Sequence, residues 1–184
     1  MRLGGSVSRA PLALVRLLQC VLLAVLVGVS FAPATSRAAP APDNLLNKKA
    51  PGFALTDLSG QSLTLAHFRG KVVLLNFWAT WCAPCQVEMP VFAAWQRQYG
   101  PQGFAIIGIS MDDDAGPVRR LAAQLKLNYP VAMGDERFGA RYGGVLGLPL
   151  TFLIDRNGIV RARFQGETNL KLIESQVAAL LAQP

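Results

Sequence analysis

The sequence predicts an α/β domain, a central mixed β-sheet flanked by helices, preceded by an apolar N-terminal leader. Three observations carry this. Apolar runs rich in β-branched residues alternate with stretches of helical periodicity. Two pairs of short runs are separated by Asp, Asn and Gly turn residues, the mark of antiparallel hairpins in an otherwise parallel sheet. The first 38 residues carry four cations, no acid and one long uncharged stretch, unlike anything downstream.

Positive, then apolar, then small residues is the order of a secretory signal. Arg2, Arg9 and Arg16 precede an uncharged stretch over residues 17–36, and the small-residue spacing around Ser36 and Ala38 predicts cleavage before Ala39. The stretch also matches the roughly 20 residues of a membrane span, so an uncleaved anchor with its basic end in the cytoplasm is the other expectation. Either way residues 39–184 are exported to the periplasm, soluble or tethered to the inner membrane. Cys20 reads as a small hydrophobe in the leader, because Gln19 stands where a lipoprotein signal places a small residue. With four of the 18 Lys and Arg before Ala39, the exported part has fourteen cations against 11 acids, a net +3. No basic run of any length appears in it, which argues against nucleic acid as a partner.

Residues 39–47, with Pro40 and Pro42, read as a linker, and residues 48–184 as one domain. Residues 53–55 and 62–64 flank a turn at 57–60 and form a hairpin. Residues 66–68 make one helical turn closed by Gly70. Residues 72–78 are a central strand. A helix opens at Cys82 and runs to Tyr99, with Val87, Val91, Phe92, Trp95 and Tyr99 as its inward stripe. Pro90 removes one of its hydrogen bonds and predicts a kink. Residues 104–109 form a second buried strand. Asp112, Asp113 and Asp114 read as a solvated loop capping the next helix, not a metal site, since hard-cation loops space their oxygens around Gly. A helix over 115–127, a strand over 131–133 and a short helix over 138–142 follow, before Gly143, Gly144 and Gly147 loosen the chain. A strand over 150–155, a turn with Gly158 at positive φ and a return strand over 159–164 make the second hairpin. A terminal helix over 168–181 turns Leu172, Ile173, Val177, Leu180 and Leu181 inward.

Cys82 and Cys85 are the only thiols of the exported domain. A structural disulfide gains from closing a long loop, and this spacing closes a very short one. In an oxidising compartment the two-residue spacing points to exchange chemistry. Cys82 lies where a strand meets a helix, and the positive end of the helix dipole favours thiolate. Cys85 lies one turn on, within reach of a Cys82–Cys85 disulfide.

Several separated segments then agree with one family. Pro51-Gly52-Phe53, the run Gly70 through Cys85, Glu88, Pro90, and the run Gly147 through Gly158 resemble the thioredoxin fold. Within it the likeness is to the exported thiol–disulfide oxidoreductases of the TlpA/ResA/CcmG type, in the AhpC/TSA-redoxin superfamily. The resemblance covers residue 48 onward. It implies a thioredoxin-like sheet with an N-terminal hairpin and a central αβ insertion. It further implies that Pro149 is a cis proline against the disulfide, and that Leu148 before it offers its backbone to an extended substrate segment. Thioredoxins carry a buried carboxylate on the central strand for the proton of the second cysteine. The matching position here is Asn76, and an amide is no general base. Glu88, three residues beyond Cys85, is similar to an active-site glutamate of ResA-like proteins, and burial would suit it to exchange a proton with Cys85. Trp81 is expected at the rim as a partner contact. Ala83 and Pro84, between the cysteines, modulate the potential. Phe77 and Trp78 read as core, and His67, the only histidine, as surface.

The expected chemistry is thiol–disulfide exchange on partner proteins, with the disulfide as the only redox group and no separate cofactor. The resemblance implies apocytochrome c haem-site cysteines or a copper-site cysteine pair as substrates, and a membrane electron donor. A disulfide-forming oxidase is the alternative direction, which the motif does not fix. A Cu(I)-binding module would use the same soft thiolates but lacks further ligands. A peroxidase would need a proline where Leu75 stands.

Overall fold

The computed structural model describes residues 45–183. The leader, its cleavage site, Cys20 and the first residues of the linker lie outside the described residues. Among the described residues no helix is long and apolar enough to cross a membrane.

The described chain runs β1 (Ala54–Thr56), β2 (Ser62–Thr64), a 3-10 turn (Leu65–Phe68), β3 (Val72–Trp78), α1 (Ala83–Tyr99), β4 (Phe104–Ser110), α2 (Ala115–Gln124), β5 (Val131–Met133), α3 (Glu136–Arg141), β6 (Leu150–Ile154), β7 (Val160–Gln165) and α4 (Leu170–Leu181). β1 and β2 form a separate hairpin, and the main sheet has the order β5-β4-β3-β6-β7. β3, β4 and β5 are parallel, while β6 and β7 are antiparallel, so the sheet is mixed. The fold is α/β as the alternation predicts.

β3 occupies the centre of the sheet, and all seven of its residues are buried. β-branched and aromatic side chains suit such a strand. Successive side chains of a strand point to opposite faces, and β3 divides its residues accordingly. Val72, Leu74 and Trp78 join a core with Met89, Phe92 and Trp95 of α1 and Ile173 and Val177 of α4. Val73, Leu75 and Phe77 join a second core on the other face with Ile107, Ile109, Phe152 and Tyr142. Phe77 stands among Phe138, Tyr142 and Phe152 with ring centroids 5.4–6.1 Å apart. Gly108 lies opposite Asn76 in the β3–β4 pairing, and a Cβ there would come within 3.0 Å of the Trp78 indole nitrogen and 3.2 Å of Val131. A side chain there would force its neighbours to give by a few tenths of an ångström, so glycine suits this close approach.

Two inward positions are corrected. Val87 is 69% exposed, because the buried stripe of α1 runs instead through Cys85, Glu88, Met89, Phe92 and Trp95. Val87 lies two residues past Cys85, about 200° around the helix. Leu172 is 48% exposed, one position off the buried line Ile173, Val177 and Leu180.

Replacing Ile173 by Ala should cost about 2–5 kcal/mol of stability, while Leu172→Ala should stay within about 0.5–1 kcal/mol. Urea unfolding of the two variants checks this, and equal losses would contradict the assignment of faces.

Candidate active site at the end of the central strand

β3 delivers the chain to Ala79, Thr80 and Trp81, and α1 starts at Ala83 with Cys82 as its N-cap. Pro84 sits in the first turn, where its missing N–H leaves no helical bond unmade. Cys82 and Cys85 are joined as a disulfide with Cα atoms 5.3 Å apart. The Cys85 N–H also points at Cys82 Sγ, 3.3 Å away. Cys82 is 5% exposed and Cys85 only 1%. Both cysteines are buried, Cys85 the more completely.

The pairing of Leu150 with Phe77 brings the start of β6 to this end of β3. The Leu148–Pro149 peptide is cis, and the Pro149 carbonyl accepts from Gly166 N at 2.8 Å. That bond holds the loop after β7 beside the cis proline. The same loop reaches α1, where Ala83, Pro84, Val87 and Glu88 share a cleft of about 420 Å³ with Glu167 and Thr168. Trp81, 70% exposed, and Leu146, 78% exposed, stand on the open surface of this end.

Glu88 is buried on the same helix as Cys85, one turn on. Its Oε2 has no hydrogen-bond partner among the described residues. Burial pushes its carboxyl up from 4.5 to about 7; the nearby Glu167 adds to the rise, and the Thr168 backbone N–H opposes it. A carboxyl in that range exchanges protons readily near neutral pH. Asn76 is buried and donates from Nδ2 to Thr151 Oγ1 at 2.9 Å, so its amide serves a cross-strand bond.

Asp112 is the residue that sequence reasoning missed. Its carboxylate accepts from Thr80 N at 2.9 Å, from Thr80 Oγ1 at 2.5 Å and from Ser110 Oγ at 2.7 Å. The Thr80 carbonyl in turn accepts from Gln86 Nε2 at 2.7 Å. Thr80 is thus held on both sides, two residues before Cys82. Asp114 is the N-cap of α2, as expected for the acidic run, but Asp112 is not merely solvated. Glu167 was missed as well. Its place beside Glu88 comes from the loop geometry after β7, for which no local pattern exists. Among the described residues, no group of three His, Cys, Asp or Glu side chains is placed to hold a metal ion. His67 lies exposed, lining a separate cavity beside the β1–β2 turn.

The pattern of the AhpC/TSA family matches residues 46–163. The chain belongs to the AhpC/TSA family. It is similar to the thiol-disulfide oxidoreductase ResA of Bacillus thuringiensis subsp. konkukian, 38% identical over 129 residues, covering 70% of this chain and 75% of that one. The ResA of Geobacillus kaustophilus is 36% identical over 131 residues, covering 71% and 75%. The thioredoxin-like protein YneN of Bacillus subtilis is 33% identical over 133 residues, covering 71% and 77%. Among solved structures, a putative thiol:disulfide interchange protein DsbE from Chlorobium tepidum superposes with a TM-score of 0.69 at 34% identity, covering 74% of this chain and 98% of that one. The AhpC/TSA family member described here is a thiol–disulfide oxidoreductase with a thioredoxin-like fold, as the resemblance implied.

Two outcomes follow from this geometry. Asp112→Ala leaves the Thr80 N–H and the buried Ser110 hydroxyl without their acceptor and should cost about 2–3 kcal/mol in urea unfolding. A loss below about 0.5 kcal/mol would show that Thr80 is held without it. The folded state also binds more protons than the unfolded state between pH 4.5 and about 7, because the Glu88 carboxyl is raised. Stability from this group is therefore present at low pH and falls as pH rises through that window. Glu88→Gln removes the fall, so its unfolding midpoint should gain on wild type from about pH 4.5 to about pH 8. Parallel pH profiles would refute the burial argument.

Proposed function

We propose that this protein is an exported reductant of specific partner disulfides, working through a Cys82/Cys85 dithiol. The observation that carries the reading is the Cys82–Cys85 disulfide at the start of α1 with the buried, raised Glu88 carboxyl one turn on. In the reduced protein the Cys82 thiolate attacks one sulfur of a partner disulfide. That S–S bond breaks, one partner thiolate leaves, and a mixed disulfide forms. Glu88 takes the proton of Cys85. The Cys85 thiolate then attacks Cys82 Sγ, the Cys82–Cys85 disulfide forms and the second partner thiolate leaves. The partner has gained two electrons and the dithiol has lost them.

Trp81, Leu148 and Pro149 shape the groove in which the partner segment lies. Ala83 and Pro84 set the start of the helix and so modulate the potential, and Asn76 supports the strand beneath. The exchange needs no cofactor besides the disulfide. A membrane electron donor re-reduces the protein. Residues 1–38 are either a cleaved signal or an anchor in the inner membrane, residues 39–47 a linker, and residues 48–184 the periplasmic domain. The kinship with ResA and DsbE proteins supports protein disulfides as substrates, and the resemblance to the TlpA/ResA/CcmG type points to haem-site cysteines of apocytochrome c or a copper-site cysteine pair.

The reduction potential of the Cys82–Cys85 pair tests the direction. A value at or below about −220 mV is expected, and one near about −120 mV would make this an oxidase. Cys85→Ala should accumulate the mixed disulfide with a partner, and Cys82→Ser should form none. Glu88→Gln should slow the resolving step about 100-fold near pH 7 and flatten its pH profile, as loss of a general base does. Stopped-flow exchange with a model disulfide measures this, and an unchanged rate would remove Glu88 from the mechanism.

A further inference from the structure

The sheet topology sorts charge along β3. The strands β3, β4 and β5 are parallel and end together, Trp78 beside Ser110 and Ser110 beside Met133. The loops that follow them carry Asp112, Asp113, Asp114 and Asp135; α3 opens with Glu136 and also carries Arg137 and Arg141; and Glu88 and Glu167 line a cleft with Ala83 and Pro84. The opposite end is basic. Lys71 immediately precedes β3, and the pairing of Val73 with Ile154 puts Asp155 and Arg156 at that same end. Lys49 is brought there by its bridge to Ile159.

Lys49, Arg69, Lys71 and Arg156 surround a cavity of about 170 Å³. Asp155, which also lines it, has its charge taken by Arg161 at 2.7 Å. No ion pair to any of the four cations is present among the described residues. Arg156 is anchored by the carbonyls of Gly70, Gln102, Leu181 and Gln183. Lys49, Arg69 and Lys71 are exposed. The described chain also begins at this end. Asn47 N bonds Val160 O at 2.8 Å, and Ala50 N bonds Gly158 O at 2.9 Å.

We propose that this basic end rests on anionic phospholipid headgroups, which turns the disulfide away from the bilayer. The inference rests on the tether reading of the leader. Three observations single out a lipid surface. The four cations have no ion pair among the described residues, Lys49 donating to the Asn157 carbonyl and Lys71 lying over the Phe68 ring, and they frame a cavity; the described chain begins beside them; and the acidic groups of the other end are repelled by the same surface. Each Lys or Arg near an anionic bilayer strengthens its association about fivefold, an effect that salt screens within a Debye length.

The full chain is reconstituted with vesicles of phosphatidylcholine alone or with about one third phosphatidylglycerol, and hydrogen exchange is read after flotation. Segments 66–72 and 154–158 should exchange several-fold more slowly on the anionic vesicles only. High salt should abolish the protection, and so should the triple variant Lys49→Glu, Arg69→Glu, Lys71→Glu. Those three side chains make no contact with the disulfide site, so exchange activity on a soluble model disulfide serves as the folding control. Equal protection on both lipids, protection that survives the triple variant, or protection reproduced by inorganic phosphate alone would overturn the proposal. Flotation with both vesicles without protection overturns it and leaves the tether standing. Flotation with the anionic vesicles alone overturns the tether on which the proposal rests. Flotation with neither overturns both.

Discussion

A strand buried along its whole length is the constraint on which the rest of this structure depends. Val72–Trp78 is paired on both edges and covered on both faces. Its position is therefore over-determined, and so is the point at which it ends. The chain must leave the sheet at Ala79, turn within three residues and enter a helix at Ala83. A cysteine at that turn is held by the two most rigid elements of the domain. Preorganisation of a reacting sulfur comes here from the core, since groups built on packed elements keep their geometry better than groups on loops.

The turn itself is secured by polar contacts that the core does not supply. Asp112 and Gln86 grip Thr80 from opposite sides, through its N–H and hydroxyl and through its carbonyl. Across the disulfide, the Gly166–Pro149 hydrogen bond ties the loop after β7 to the cis proline and brings Glu167 toward Glu88. Segments remote in sequence are therefore tied to one another at the end of the central strand. Neutral Asn76 on the central strand fits this arrangement. With the carboxyl on α1 instead, the strand position is left to a plain amide–hydroxyl bond with Thr151.

Much of this was legible in the residues. Val72–Trp78, the hairpin around Asp57, the Asp155–Gly158 turn with Gly158 at φ 77° and the helix start at the cysteines are all local patterns, and local patterns survive folding. The failures were matters of tertiary context. Val87 and Leu172 are apolar and lie one or two positions from a buried line, and periodicity over a short helix does not separate neighbouring stripes. Asp112 was read with its run, since three adjacent aspartates look alike. Only the end of β4 beside β3 distinguishes the first from the third. Glu88 was found through family likeness, and its unpartnered Oε2 became visible only when α1 and the loop after β7 were seen together.

The 1% exposure of Cys85 has a bearing on chemical durability. Over-oxidation by peroxide requires a thiolate that small oxidants can touch, and it ends in sulfur acids that no dithiol exchange reverses. In the disulfide state neither sulfur has a thiolate to lose. Cys85 is also buried in the first turn of α1. With both cysteines buried and joined as a disulfide, little of either is open to a small oxidant.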